Sequence, residues 1–303
     1  MSLSDMLSIL IPTYNRSAIE LVKSLLNQGE QLFLPFEIIV AEDGSSDEYV
    51  KANVLLGEMQ GVRYIVRKNN VGRSAIRNFL GQEAKFEYLL FLDCDSAIQN
   101  PLFLKTYASH IGKDQVVYGG TSYISQHNTM ETRLHYRFGH EREALSAEKR
   151  AKNPGLNFKT NNFLIQKDLL LRFPFDETIK GYGYEDVVFA ENLCQNGVKI
   201  VHIHNPVIHE GLDSNVSFLT KTAESVKNLA KLVAEGKIRE TRLTQVYSVV
   251  KPLFFALEGL FSAINLQKKA FELLKRGKGG NMVFSLWKLM QYHQEQKSLP
   301  KIR

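Results

Sequence analysis

Short, densely apolar runs punctuate the first 120 residues: 7–12 (LSILIP), 36–41 (FEIIVA), 62–67 (VRYIVR), 88–92 (YLLFL) and 115–118 (QVVY). Their length and their Ile, Val, Leu and aromatic content predict strands buried on both faces. Between the first four lie 17–28, 46–58 and 73–84, with apolar residues spaced by three and four, which predicts helices. Strand alternating with helix predicts an α/β fold with a parallel sheet. Residues 119–165 read as irregular and polar. FLIQKDLLLRFPFDE then reads as strand, turn and helix, GYGYEDVVFAENLCQNG as a loop running into a helix, and VKIVHIHN as a strand. From 216 onward the pattern is helical, broken at Gly236, Pro252 and the Gly277 to Gly280 cluster.

Polar residues follow the strands: Thr13-Tyr14-Asn15 after the first, Glu42-Asp43-Gly44-Ser45 after the second, and Asp93 and Asp95 after the fourth. Ligands of open α/β sheets bind outside the carboxyl ends of the strands. Three polar clusters are therefore expected at one edge. Carboxylates at the mouth of a core strand cost desolvation unless a cation meets them. Two residues apart on an extended chain, Asp93 and Asp95 point the same way, as a shared metal ion requires. The competing reading is a strand end whose acids cap the helix near Pro101.

Charge divides the chain. From Val216 to the end there are 16 Lys and Arg against 6 Glu and no Asp, a net +10; the first 215 residues hold 22 basic and 26 acidic residues, a net −4. Two domains are expected, residues 1–215 and a basic helical extension, 216–303. Despite the basic balance there is no Arg-Gly repeat, zinc-ligand spacing or aromatic RNA-binding motif, so a nucleic-acid partner is not expected. Two cysteines without a CxxC partner, no long uncharged apolar stretch and no basic-then-apolar leader together suggest a reducing, cytoplasmic setting.

The segments SILIPTYNR, IIVAEDGSSDE, NNVGRSAIRN, YLLFLDCDS, GYGYEDVVFAENL and VIHEG occur in an order that resembles the inverting glycosyltransferases of family 2, across residues 6–212. The resemblance implies a GT-A fold, a nucleotide-sugar donor (a UDP-sugar foremost), a glycan or lipid-linked acceptor and a role in surface polysaccharide assembly. Asp93 and Asp95 resemble the family's DxD motif. Asp95 is then expected to hold Mn²⁺ or Mg²⁺ directly and Asp93 to contact ribose or metal, with His209 completing the metal site. Pro12, Thr13, Tyr14 and Asp43 are expected around the base and ribose, and Arg73, opening a helix, near the diphosphate. Many relatives have two Asp before the Gly where this chain has Glu42-Asp43, which leaves base specificity open. Glu185-Asp186 resembles the family's ED motif: Asp186 is expected to be the general base, and Glu185 to hold the acceptor or support the loop. Tyr182 and Tyr184 offer faces for a sugar ring. His202 and His204 read as packing or surface residues.

A phosphatase using Asp93 as nucleophile, or a sugar-nucleotide nucleotidyltransferase, is the alternative from outside the family. The first wants the motif on its first strand; the second needs a Gly-rich basic loop, for which IPTYNRS offers one Arg and no Gly. For the extension, the alternatives are packing on the body or a partner, and peripheral contact with an anionic membrane through the VYSVVKPLFFALEGLFSAIN stretch.

Overall fold

A computed structural model describes residues 6–32 and 34–299, with the side chains of residues 260 and 262 outside the description. In chain order the elements are β1 (Leu7–Thr13), α1 (Ile19–Gly29), β2 (Phe36–Asp43), α2 (Asp47–Asn53), β3 (Val62–Arg67), α3 (Arg73–Glu83), β4 (Tyr88–Leu92) and β5 (Ser96–Ala97). There follow α4 (Phe103–Ala108), β6 (Val116–Tyr118), β7 (Thr121–Ser122), α5 (Arg133–Arg142), α6 (Ala147–Ala151), β8 (Asn162–Gln166), α7 (Lys167–Arg172) and α8 (Glu185–Gln195). The chain continues through β9 (Ile200–His202), β10 (Val207–His209), α9 (Asn215–Ala234), α10 (Arg242–Ala263), α11 (Leu266–Lys275) and α12 (Gly280–Ser298).

The chain forms two compact units. The first takes in residues up to Tyr123, Glu143–Lys180 and Glu185–Gly211. Its main sheet runs β3-β2-β1-β4-β8-β6-β9, with β1 parallel to both β2 and β4. β8 runs antiparallel to its neighbours β4 and β6, so the sheet is mixed rather than purely parallel. Each face carries its own core. Leu10, Phe91, Phe163 and Phe189 lie in one cluster, and Ile9, Ile38, Leu90 and Leu164 in the other. Alternate residues of a strand face opposite sides, so strands covered on both faces need the continuous apolar runs seen in the sequence.

The stretch expected to be irregular, 119–165, contains β7, α5 and α6. The expected helix over 46–58 is α2 followed by a 3-10 turn, Val54–Glu58. A second sheet, β5-β10-β7, was not anticipated. Strands of two or three residues carry no periodicity to read; tertiary pairing alone makes them.

The second unit comprises Ile124–Arg142, Gly181–Tyr184 and the chain from Leu212 onward. It divides the chain differently from a break after residue 215, because α9 begins by bonding to the segment around α5. Asn215 N–H donates to Glu131 O at 2.6 Å, and Asn215 Oδ1 accepts from Leu134 N at 2.9 Å. His135 stacks on Phe218 at 4.3 Å, and Phe218, Phe284 and Trp287 continue the apolar interior. Asn228 Nδ2 donates to Gly183 O at 2.7 Å, which fixes the Gly-Tyr-Gly-Tyr turn to this unit. Among the described residues no helix is long and apolar enough to cross a membrane.

Candidate active site

The parallel half of the sheet delivers its polar strand ends together. β1 and β2 are in register to their last residues, Thr13 facing Glu42. Just beyond, Asn15 N–H donates to Ser45 Oγ and Ser46 N–H to Asn15 Oδ1, both at 2.9 Å. Asn15 adopts a left-handed conformation, φ 49°, which Asn tolerates better than most residues. Thr13 is buried beneath this turn and Tyr14 is exposed.

Glu42 and Asp43 point to different tasks. Glu42 is fully buried; its carboxylate accepts from Asn53 Nδ2 at 2.7 Å, from Tyr64 Oη at 3.0 Å and from Ser45 Oγ. It braces β2 against α2 and β3. The two oxygens of Asp43 accept from Val71 N at 2.8 Å and Gly72 N at 3.0 Å, tying β2 to the loop that opens α3. Burial raises the Asp43 carboxyl above its ordinary value, against the pull of those two amides and Arg67. Gly44 closes the turn at φ +72°, where a Cβ would lie 2.3 Å from Asn70 N.

α3 turns Arg77 inward and leaves Arg73 half-exposed. Arg77 is only 4% exposed at its side chain, with Nη2 2.8 Å from Asp93 Oδ1. Its Nη1 lies 3.9 Å from Glu185 Oε1, and Arg73 Nη1 lies 3.5 Å from the same oxygen. One buried guanidinium thus reaches both acidic motifs.

Asp95 belongs to a different cluster. β5 and β10 pair antiparallel with Ser96 opposite His209, which brings the imidazole beside Asp95: His209 Nε2 is 3.4 Å from Asp95 Oδ2. Glu210 N–H donates to Asp95 O at 2.9 Å, and a Cβ on Gly211 would lie 2.4 Å from Asp95 Oδ2. Burial opposes ionisation of Asp95, but the hydrogen bond and charge of His209, with Arg16, outweigh it and lower the carboxyl. Burial likewise opposes protonation of His209, and Asp95 more than compensates, so the imidazole is raised. On its other nitrogen, His209 Nδ1 meets Tyr123 Oη at 3.4 Å, and Tyr123 is bonded to Glu143. Between the two acids, Cys94 is an inert thiol, pushed up to about 12 by burial and by Asp95 and Asp93.

Asp95 and His209 therefore offer one oxygen and one nitrogen donor from facing strands, a pair suited to a divalent ion that takes its remaining ligands from a phosphate. Asp93, engaged by Arg77, stands apart from that pair. Among the described residues no three His, Cys, Asp or Glu side chains gather closely enough to hold a metal by themselves. The donor set fits a two-point site completed by substrate.

Glu185 and Asp186 open α8. Glu185 is buried, and Asp186 is bonded on both oxygens: Oδ1 accepts from Val187 N at 2.8 Å and Oδ2 from Lys159 Nζ at 2.7 Å. Tyr182 and Tyr184 belong to the second unit. Lys159, Tyr123 and Glu143 are the residues that sequence reasoning passed over. No motif marks Lys159 or Glu143, whereas Arg77 stands one turn after Arg73 on an amphipathic helix, a spacing from which an inward face could be read.

The fold and these strand-end acids define a nucleotide-sugar-transferase architecture, the GT-A fold. The family described as Glycosyl transferase family 2 matches residues 8–175, and the chain belongs to it. It is similar to the chondroitin synthase of Pasteurella multocida (strain Pm70), 32% identical over 126 residues, which is 40% of this chain and 13% of that synthase. The chain thus matches about an eighth of that relative's length. Among solved structures it resembles the mannosyltransferase PcManGT from Pyrobaculum calidifontis in complex with GDP-Man and Mn²⁺, with TM-score 0.56 and 14% identity over 96% of this chain and 87% of that one. S. aureus TarS 1-349 in complex with UDP-GlcNAc gives TM-score 0.50 and 17% identity, covering 97% of this chain and 91% of that one.

Proposed function

We propose that this protein transfers a sugar, with inversion, from a UDP-sugar to a hydroxyl of a glycan or lipid-linked glycan during polysaccharide assembly. The observation that carries the reading is Arg77: it lies 2.8 Å from Asp93 and 3.9 Å from Glu185, so the donor-side and acceptor-side acids meet at one guanidinium. An inverting displacement needs that juxtaposition, because base and leaving group act on opposite sides of one anomeric carbon. The chondroitin synthase named above and the UDP-GlcNAc complex of TarS support the polysaccharide and UDP parts of the reading.

In this reading Asp43, Thr13 and Tyr14 receive base and ribose beyond Pro12, and Arg73 meets the diphosphate at the start of α3. Asp95 and His209 would hold Mn²⁺ or Mg²⁺, which when bound neutralises charge on the departing diphosphate. Asp93 orients the ribose side while compensated by Arg77. Asp186 takes the proton of the attacking hydroxyl, and Glu185, held by Arg73 and Arg77, fixes the start of α8. The basic helices of the second unit would rest on an anionic membrane surface, on the cytoplasmic side.

A thermal-shift screen of UDP-GlcNAc, UDP-GalNAc, UDP-glucose, UDP-glucuronate and GDP-mannose, each with Mn²⁺ or EDTA, tests the donor reading. Stabilisation by a UDP-sugar that needs Mn²⁺ is the expected result; GDP-mannose alone stabilising the protein overturns the assignment to UDP.

A further inference from the structure

The base needs a means of staying aimed, and α8 by itself supplies only part of it. Val187 N–H holds Oδ1 of Asp186. The other oxygen, Oδ2, is held from outside the helix by Lys159 Nζ at 2.7 Å. Lys159 comes from the segment entering β8, and that segment is rigidly mounted. Phe158, fully buried, packs against Phe163 of β8 at 5.1 Å and against Phe189 of α8 at 6.1 Å, one turn beyond Asp186. Two residues after Lys159, Asn161 O accepts from Asp93 N–H at 3.1 Å, and Asn161 Nδ2 donates to Thr121 Oγ1 at 2.9 Å. Residues 158–161 therefore touch the turn carrying the donor-side acids and the helix carrying the base.

We propose that Lys159 is a positioning residue for Asp186, orienting its carboxylate toward the acceptor hydroxyl through the 2.7 Å ion pair, from a segment that also fixes the Asp93 turn. The inference rests on Asp186 being the base. Burial disfavours the Lys159 ammonium, but Asp186 and Glu143 more than offset that and raise it above its ordinary value, so it stays charged across the working range. The first unit carries Asp93 and Asp95 after β4, Glu143 between α5 and α6, and Glu185 and Asp186 at the start of α8, and Lys159 is the cation that meets Asp186.

The test compares K159M, K159R, D186N and the K159M/D186N double variant of the full chain. UDP or GDP release is followed on the donor that the unaltered protein turns over fastest among the five sugar nucleotides of the screen, with chondroitin and hyaluronan oligosaccharides as acceptors. D186N is expected to lose about 10²-fold or more in kcat, the contribution of a general base. K159M should lose about tenfold or more in kcat with donor KM within about twofold, K159R should recover most of it, and the double should be no slower than D186N alone, as for residues acting as one unit. Melting temperature and UDP affinity verify that each variant is folded; if K159M does not fold, K159Q, which keeps an N–H donor without the charge, replaces it. Losses that multiply in the double, a K159M defect confined to donor KM, unaltered kcat in K159M, or a folded K159R as slow as K159M overturns the role of Lys159 and leaves Asp186 in place. Near-normal transfer by D186N, or no turnover of any of the five donors, instead removes the underlying reading and this proposal with it.

Discussion

Asp93 and Asp95 look equivalent in the sequence, and their surroundings make them different. Asp93 faces a guanidinium at 2.8 Å, whereas Asp95 faces an imidazole at 3.4 Å. A metal ion can displace a proton from His209 and settle between it and Asp95; at Asp93 it would meet a permanent positive charge. D95N should therefore reduce Mn²⁺-dependent UDP affinity to the level seen in EDTA, and H209Q should lower it by at least about tenfold. D93N should keep most of the difference between Mn²⁺ and EDTA while weakening UDP binding in both. Calorimetric titration with UDP checks all three, and equal loss of metal dependence in D93N and D95N would restore Asp93 as a direct ligand. Gly211 belongs to the same argument. With 2.4 Å between its notional Cβ and Asp95 Oδ2, G211A should cut metal binding more than it cuts stability.

At the scale of elements, β9 is held to the first unit by an arginine clamp as well as by sheet pairing. Arg150, 3% exposed, donates to Gly119 O at 3.1 Å, Ile203 O at 2.6 Å and Leu145 O, and its Nε donates to His202 Nδ1 at 3.3 Å. The other ring nitrogen of His202 donates to Pro154 O at 3.1 Å. Those partners demand the neutral ring, because a proton on Nδ1 would point at the guanidinium. Burial, with Arg150 adding to it and the Pro154 bond opposing, lowers His202 from 6.5 to about 4. The unfolded chain thus binds a proton near pH 6.5 that the folded one refuses until about pH 4. Stability from this site is present above pH 6.5 and declines as pH falls toward 4. Melting curves between pH 7 and 4 should show that decline in the wild type and a shallower one in H202N. An equally steep decline in H202N would place the acid sensitivity elsewhere.

At the scale of the whole molecule, the second unit carries the basic excess and an apolar face that is exposed among the described residues. On α10, Val249 is 79% exposed, Leu253 55% and Val246 45%, at three- and four-residue spacing on one side of the helix. Such a face beside a net +10 suits the surface of an anionic bilayer, where each Lys or Arg adds roughly 1 kcal/mol that salt screens. The full chain should sediment with phosphatidylserine-containing vesicles at low salt and release as salt rises, and V249E/L253E should weaken binding without lowering the melting temperature. Vesicle binding that persists at high salt, or that ignores the double variant, would argue against this face.

How much was readable beforehand follows from the range of the interactions involved. Continuous apolar runs such as YLLFL and alternating helices determined the α/β class and the strand ends where acids collect, because burial on both sheet faces leaves a mark in every residue of the run. The DxD, Asp43, Glu185-Asp186 and His209 positions were expected from the resemblance, as short segments in a fixed order. The sequence could not say that β8 runs antiparallel, nor that residues 124–142 join α9 across about 80 positions; those depend on pairing between distant segments. Nor could it separate Asp93 from Asp95, or find Lys159 beneath Asp186. Which cation meets which carboxylate is decided by side chains brought together from strands and helices far apart in the chain, and only the tertiary structure brings them within hydrogen-bonding distance.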